Sequence, residues 1–165
     1  MIYSEARPKI ASGDILLFHG TGMFAGIIRA YTKHSDFSHV GLAWRIGQRV
    51  LIAESRPHSG GVTIDRPLSG ALGDGVSWIP QPAVWTPECE DRMAEDIGVP
   101  YGWWNDLCVF LHTTMSKHSI QCAQYVEYVL GLNLKPTPAA IASQYAGKIV
   151  PITKDPTENT SVGGT

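Results

Sequence analysis

Glycine and proline cut this chain so often that no element in it has room to be long. Seventeen glycines and eleven prolines are spread over 165 residues, and either residue tends to end a helix or a strand. Short strands and short helices around one core are what such a chain builds, and its length suits a single domain. The expected division is one domain over residues 1–153 and a polar, disordered tail over 154–165. An apolar share of 44% against a charged share of 17% supplies enough greasy surface for a real core.

Several function classes drop out early. Thirteen basic against fifteen acidic residues give a net charge of -2 without a basic stripe, so nucleic acid is not the expected partner. The longest apolar runs, such as residues 15–18, are too short to cross a bilayer. The opening MIYSEARPKIASG lacks the charged and then apolar layout of a secretory signal, so a cytoplasmic location is expected, with delivery to a cell wall by another route left open. Cys89, Cys108 and Cys122 are widely spaced, and neither CxxC nor HExxH occurs, which argues against a structural zinc site and a zincin. An odd number of cysteines leaves at least one thiol free, as a reducing compartment allows.

Along the chain, residues 14–18 (DILLF) read as a strand. A helical stretch follows at 23–33, with Phe24, Ile27, Ile28 and Tyr31 at helical spacing. Residues 38–44 and 50–55 form two strands around a turn at 45–49, and 62–65 and 76–79 two more. Residues 87–97 have a helical tendency, and 101–111 are aromatic-rich and partly helical. The best amphipathic helix is 120–130 (IQCAQYVEYVL), which puts Cys122, Val126, Val129 and Leu130 on one face. Ser119 is its expected N-cap and Gly131 its stop. Thr137-Pro138 opens a further helix to Tyr145, and 148–152 forms a last strand. The expected class is α+β, with an antiparallel sheet packed against helices.

The chemistry centres on Cys122. A helix N-terminus stabilises a thiolate through unpaired N–H groups and the helix dipole, and Cys122 lies in the first turn of the strongest helix. A lone cysteine there is more often a small core residue. What favours chemistry is a histidine in a specific setting. A hairpin pivoting at Ile46-Gly47 pairs Ala43 with Val50, Gly41 with Ile52 and His39 with Glu54, so all six share one face. The small residues of that face leave space for a packed helix. A pivot at Gly47-Gln48 shifts the register by two and keeps His39 and Glu54 on one face as near neighbours. An acid beside a histidine orients the ring and stabilises imidazolium, as in Cys-His-acid sites.

Gly13-Asp14-Ile15, Ser38-His39-Val40-Gly41, Ala53-Glu54, Pro100-Tyr101 and Gln121-Cys122-Ala123 follow one another in that order. The pattern resembles the circularly permuted, NlpC-like papain-fold amidohydrolases, in particular the YiiX-like branch, over residues 13–152. The resemblance implies a papain-like fold, with Cys122 as nucleophile, His39 as base and Glu54 as the orienting acid. It also implies that Tyr101 lies near the site as an oxyanion or substrate contact. Ala123 stands where the family often has serine, and Gly102 where it often has aspartate; both departures bear on substrate contacts, not on the catalytic groups. The implied activity is hydrolysis of an amide or ester in a small peptide, peptidoglycan-like or acyl substrate, with no metal or organic cofactor. A lecithin:retinol acyltransferase-type lipid enzyme shares the layout, but such enzymes commonly carry an apolar anchoring segment, and none is evident. A silent binding domain has no reason to keep all three groups.

Other signals are weaker. Residues 20–25 match G-x-G-x-x-A, but no second strand ends in an acid at the required distance, so a flexible loop is the better reading. His19 follows the first strand and lines a cleft at most; His118 points away from the thiol; His34, His58 and His112 lack partners. Tyr101, Trp103, Trp104 and Phe110 form core or wall a groove. Cys108 reads as packing and Cys89 as a surface loop thiol. Limiting iodoacetamide, followed by mass spectrometry of the folded protein, is therefore expected to label Cys122 ahead of Cys89 and Cys108. Faster labelling of either of those would count against Cys122 as the nucleophile.

Overall fold

The computed structural model describes residues 1–19, 36–57, 59–102, 120–133 and 137–156. The calls on the 23–33 helix, the 20–25 glycine segment and most of 101–111 lie outside these residues. So do those on Ser119, Cys108, Trp103, Trp104, Phe110, His34, His58, His112 and His118.

A short helix α1 (Tyr3–Ala6) leads into β1 (Ile15–Phe18), β2 (His39–Ile46), β3 (Arg49–Arg56) and β4 (Gly61–Pro67). Then come α2 (Leu68–Ala71), β5 (Val76–Ile79), α3 (Pro87–Glu95), α4 (Cys122–Leu130), α5 (Pro138–Gln144) and β6 (Val150–Ile152). The six strands make one sheet in the order β4-β3-β2-β1-β5-β6, with every neighbouring pair antiparallel. The class is α+β, as the order of elements implied. Among the described residues, no helix is long and apolar enough to cross a membrane.

Strand alternation splits the core in two. Ile15, Leu17, Val40, Leu42, Ala53, Val62 and Ile79 face α3, α4 and α5, where they meet Cys89, Met93, Tyr125, Val126, Val129 and Ile141. Leu16, Phe18, Ala43, Val50, Ile52 and Trp78 face the other way, toward Tyr3, Ala6, Ile10, Leu68 and Leu72. The hairpin takes the second of the two registers: Ala43 opposes Ile52 and Ile46 opposes Arg49, so the turn is Gly47-Gln48. The pairing of Ala43 with Val50 is thereby corrected.

A second correction concerns the helix. The face carrying Gly41 and Ala43 does not receive α4, which packs on the opposite face against Val40, Leu42 and Ala53. Ala43 lies instead among Tyr3 and Ala6 of α1 and Leu68 and Ala71 of α2, while Gly41 makes room for its own cross-strand neighbours. A Cβ added at Gly41 would lie 3.0 Å from Ile52 Cγ2 and 3.1 Å from Glu54 Cβ.

Helix α4 begins two residues later than expected: its N-cap is Gln121, not Ser119, and its C-cap is Gly131 at φ +63°. That left-handed conformation is one glycine adopts without a Cβ clash. Thr137 caps α5 by accepting from the Ala140 N–H at 3.1 Å. Cys89 is not a surface loop thiol: it lies within α3 and is 3% exposed. The reason is that Thr86 caps α3 and Pro87 starts it, turning residue 89 inward. The two ends of the chain are stitched together by an Ile2–Thr153 bridge. Asp155 also accepts from the Ser4 backbone at 3.0 Å, so the chain is engaged past Lys154, where the polar tail was expected to start.

Gly41 gives a direct test of this packing. Gly41→Val forces a branched side chain against Ile52 and Glu54, and is expected to lower unfolding free energy by about 1–3 kcal/mol, as overpacked cores do. Urea denaturation followed by tryptophan fluorescence measures it; a stability equal to wild type would mean that the close approach at Gly41 is not required.

Candidate active site

His39 is the first residue of β2 and closes the β1–β2 ladder opposite Phe18. From that end of the strand its ring reaches both sides of the sheet. Its Nε2 bonds Glu54 Oε2 at 2.6 Å, and the Cys122 side chain is close enough to favour its protonated form. Phe18 packs on the imidazole with ring centres 5.4 Å apart. The three residues singled out in the sequence are therefore brought together: Cys122 from the helix layer, His39 from the strand end and Glu54 from the neighbouring strand.

Local backbone pairing fixes where α4 begins. The Ser55 hydroxyl, fully buried on β3, donates to the Ile120 carbonyl at 2.8 Å. Ile120 N–H donates to the Pro100 carbonyl at 3.1 Å, Gly102 N–H returns to the Ile120 carbonyl at 3.2 Å, and Tyr101 N–H reaches the Gly60 carbonyl at 3.1 Å. Pro100 is itself bridged to Gly61 at the start of β4. Tyr101 is thus placed beside the helix start, buried, through its backbone bridge to Ile120. Gln121 N–H then donates to Gln124 Oε1 at 3.1 Å, and the helix runs on from Cys122. Cys122 is 6% exposed. As the first helical residue it has an N–H without an intrahelical acceptor.

Glu54 is fully buried, and its charge is met from three sides. Besides His39, Arg66 Nε lies 3.1 Å from Oε1 and its Nη2 3.3 Å from Oε2, while Arg56 Nε lies 3.1 Å from Oε1. Arg66 is in turn held by Asp74 at 2.8 Å and lies over the Phe18 ring at 5.3 Å, and Arg56 pairs with Asp65 at 3.2 Å. None of these partners was singled out in the sequence. Arg56 was reachable, since it lies two residues beyond Glu54 and so on the same strand face. Arg66 was not, because the β3–β4 register shifts by one residue between Ile52 and Glu54: Ile52 opposes Arg66, yet Glu54 opposes Thr63. That extra residue in β4 turns Arg66 to the Glu54 face; an unbroken ladder would point it to the other side. His19 stacks on Phe37 at 4.7 Å and takes no part in this cluster.

The electrostatics follow from this geometry. Burial alone lowers the affinity of His39 for a proton, but the hydrogen bonds to Cys122 and Glu54 and their charges outweigh it, pushing the imidazole up to about 9. Burial raises Glu54, and the His39 hydrogen bond with the charges of His39, Arg66 and Arg56 overcomes this, leaving the carboxyl below its ordinary value. Both shifts favour the charged forms. Among the described residues, no group of three or more His, Cys, Asp and Glu side chains is placed to hold a metal ion. Glu54 fits that role poorly, since both of its oxygens are already bonded to cations.

No protein-family model matches the chain, and no curated protein is similar to it in sequence. Among solved structures it is similar to the metalloprotein YiiX (DUF1105) of Escherichia coli O157:H7, at 14% identity and a TM-score of 0.60. The match covers 89% of this chain and 98% of that one, so nearly the whole YiiX fold is shared. At that identity the likeness is one of fold alone.

A folded-state value above the unfolded one makes protonated His39 a stabilising group below pH 6.5, and that contribution is lost as pH rises through about 9. Glu54, lowered from 4.5, stabilises above that pH, and its contribution is lost as pH falls through the folded value. Thermal midpoints are therefore expected to be highest between pH 4.5 and 6.5 and to decline on both sides. In Glu54→Gln the His39 ring signals, followed by NMR titration, should have their midpoint well below the wild-type value. An unchanged midpoint would show that the carboxylate does not govern the ring.

Proposed function

We propose that this chain is a cysteine hydrolase of the papain-like, permuted NlpC type, cleaving an amide or ester through an acyl-thioester on Cys122. The observation that carries this reading is the His39 ring bonded to the buried Glu54 carboxylate and pushed toward its protonated form by the Cys122 side chain. A thiol at a helix start, a histidine bonded to it and an acid orienting the far nitrogen are the parts that nucleophilic acyl transfer needs.

In this mechanism the Cys122 proton passes to His39 and the sulfur attacks the substrate carbonyl carbon. The carbonyl electron pair moves to oxygen, where the N–H of Cys122 at the start of α4 meets it. Collapse expels the amine or alcohol, protonated by His39, and leaves the acyl group on sulfur. Water, losing its proton to His39, then releases the acid and restores the thiol. Glu54 keeps the ring oriented and stabilises imidazolium throughout. The substrate class is a small peptide, a peptidoglycan-like peptide or an acyl ester. The metal named for the YiiX protein is not carried over, because the donor set among the described residues does not suit one.

Rates on a peptide anilide and an activated ester test the reading. Cys122→Ala is expected to abolish turnover with the fold retained by circular dichroism, and His39→Ala to cost nearly as much. Glu54→Gln keeps shape and one acceptor, so part of the activity should survive. Adding it to His39→Ala should change little, since groups acting as a unit lose activity non-additively. Wild-type rates in Cys122→Ala would overturn the proposal in favour of a binding domain on the same fold.

A further inference from the structure

Arg66 binds both the acid that orients His39 and the aromatic ring on which His39 rests. Its Nε lies 3.1 Å from Glu54 Oε1 and its Nη2 3.3 Å from Oε2, so the guanidinium grips both carboxylate oxygens. A planar fork of this kind fixes the plane of a carboxylate, which a point charge does not. The same guanidinium lies over the Phe18 ring at 5.3 Å, and Phe18 packs on the imidazole with ring centres 5.4 Å apart. Arg66 thus reaches His39 by two paths. Its remaining nitrogen, Nη1, donates to Asp74 Oδ2 at 2.8 Å, which seats the side chain against the turn before β5.

Neutralising Glu54 does not require all of this. His39 and Arg56 already stand beside it, and Asp74 answers the charge of Arg66 itself. What Arg66 adds is direction. Arg56 Nε is 3.1 Å from Oε1, yet it is buried with no aligned hydrogen-bond acceptor. Thr63, directly opposite Glu54, has a buried hydroxyl without a partner. Among the described residues, the side chains that bond the carboxylate with hydrogen-bond geometry are therefore His39 and Arg66. The sheet also breaks its register to supply the second of these, and bulges beside active sites commonly re-aim a side chain in this way.

We propose that Arg66, seated by Asp74, is a positioning residue of the active site, fixing Glu54 and Phe18 so that the His39 imidazole keeps the orientation that serves Cys122. The inference rests on the hydrolase reading and adds to it a group that acts through its neighbours. In the acylation of an amide, His39 hands the proton taken from Cys122 to the leaving nitrogen. A carboxylate free to rotate would let the ring tilt and misplace that proton. Misplacement on the scale of an ångström is enough to slow such a step severely.

Two variants test it on a peptide p-nitroanilide, each assayed well below its own melting midpoint. Arg66→Lys keeps a positive charge and removes the fork; Asp74→Ala removes the seat of Arg66 and leaves Glu54 within its reach. In Arg66→Lys, kcat is expected to fall by about 10–100-fold, the loss typical when a group orienting a site residue is removed. KM should stay at the wild-type value, because substrate binding does not involve the fork. Asp74→Ala should lose kcat in the same way, by a smaller factor. An Arg66 that only stabilises the fold would lower the melting midpoint and leave kcat unchanged, so wild-type kcat in either variant overturns the proposal. A loss carried by KM instead overturns it too, since Arg66 would then be a substrate contact. If Arg66→Lys fails to fold, Asp74→Ala decides alone, at a side chain that is 48% exposed. Failure of the hydrolase reading looks different: the wild-type protein itself would then show no Cys122-dependent release of p-nitroaniline, and the inference would fall with it.

Discussion

A fully buried carboxylate has to be compensated or it does not stay charged, and around Glu54 this requirement organises one end of the molecule. Removing one partner of a buried ion pair typically costs about 3–5 kcal/mol, because the survivor is left uncompensated. Here the compensation comes from His39, Arg56 and Arg66 at 2.6–3.1 Å. Each has its own structural condition. His39 must stand at the end of β2, Arg56 must follow Glu54 by two residues, and β4 must carry its extra residue so that Arg66 turns inward. Gly41 must lack a side chain, since a Cβ there would press on Glu54. The charged cluster and the sheet irregularity are thus one feature.

The thiol arrives by a separate route. Helix α4 packs on the opposite face of the sheet, with its apolar residues fixed by α3 and α5, and neither core cluster by itself brings Cys122 to His39. The link is a run of backbone bonds from Gly61 through Pro100 and Tyr101 to Ile120, closed by the Ser55 hydroxyl. Ser55 and Glu54 are neighbours on β3 that point to opposite faces: one anchors the helix start, the other the base. Two adjacent residues of one strand therefore set both halves of the site. At the far end, Arg92 of α3 binds the Val129 carbonyl at 2.7 Å, so α4 is held at its C-terminus as well.

Strand periodicity made β1, β2, β3 and β5 legible, and the apolar face of α4 identified the helix that carries Cys122. The association of His39 with Glu54 was legible too, because either hairpin register keeps them on one face. The packing side of α4 was not. Small residues at 41 and 43 suggest space for a helix, and that face does receive α1 and α2 beside Ala43, while Gly41 is filled from within the sheet by Ile52 and Glu54. Arg66 was hidden by the bulge, since parity counted along an unbroken ladder assigns it to the other face. Asp14 shows the same gap between motif and meaning. It is buried, and accepts from Ala11 N–H at 2.9 Å, Trp78 Nε1–H at 2.7 Å and Gln81 N–H at 2.8 Å. These partners lie up to 67 residues away, so no local pattern announces that Asp14 pins the β1–β5 corner.

The electrostatics of His39 bear on how one residue would serve both halves of the proposed reaction. An imidazole pushed up to about 9 keeps, at neutral pH, the proton it takes from Cys122, so once the thiolate has formed the ring is an acid, ready to protonate a leaving amine. Two groups maintain that state, Cys122 and Glu54, through hydrogen bonds and charge. Acylation converts the sulfur to a neutral thioester and removes the Cys122 contribution, while Glu54 remains. The affinity of the ring for its proton then drops toward the ordinary range for histidine, and it becomes a base for water at the pH where it had just acted as an acid. Glu54 keeps this swing from going too far. Because Arg56 and Arg66 share its charge, it orients the ring without holding the proton as firmly as a lone buried carboxylate would. In the proposed reaction the two arginines would thus be part of what lets His39 change roles.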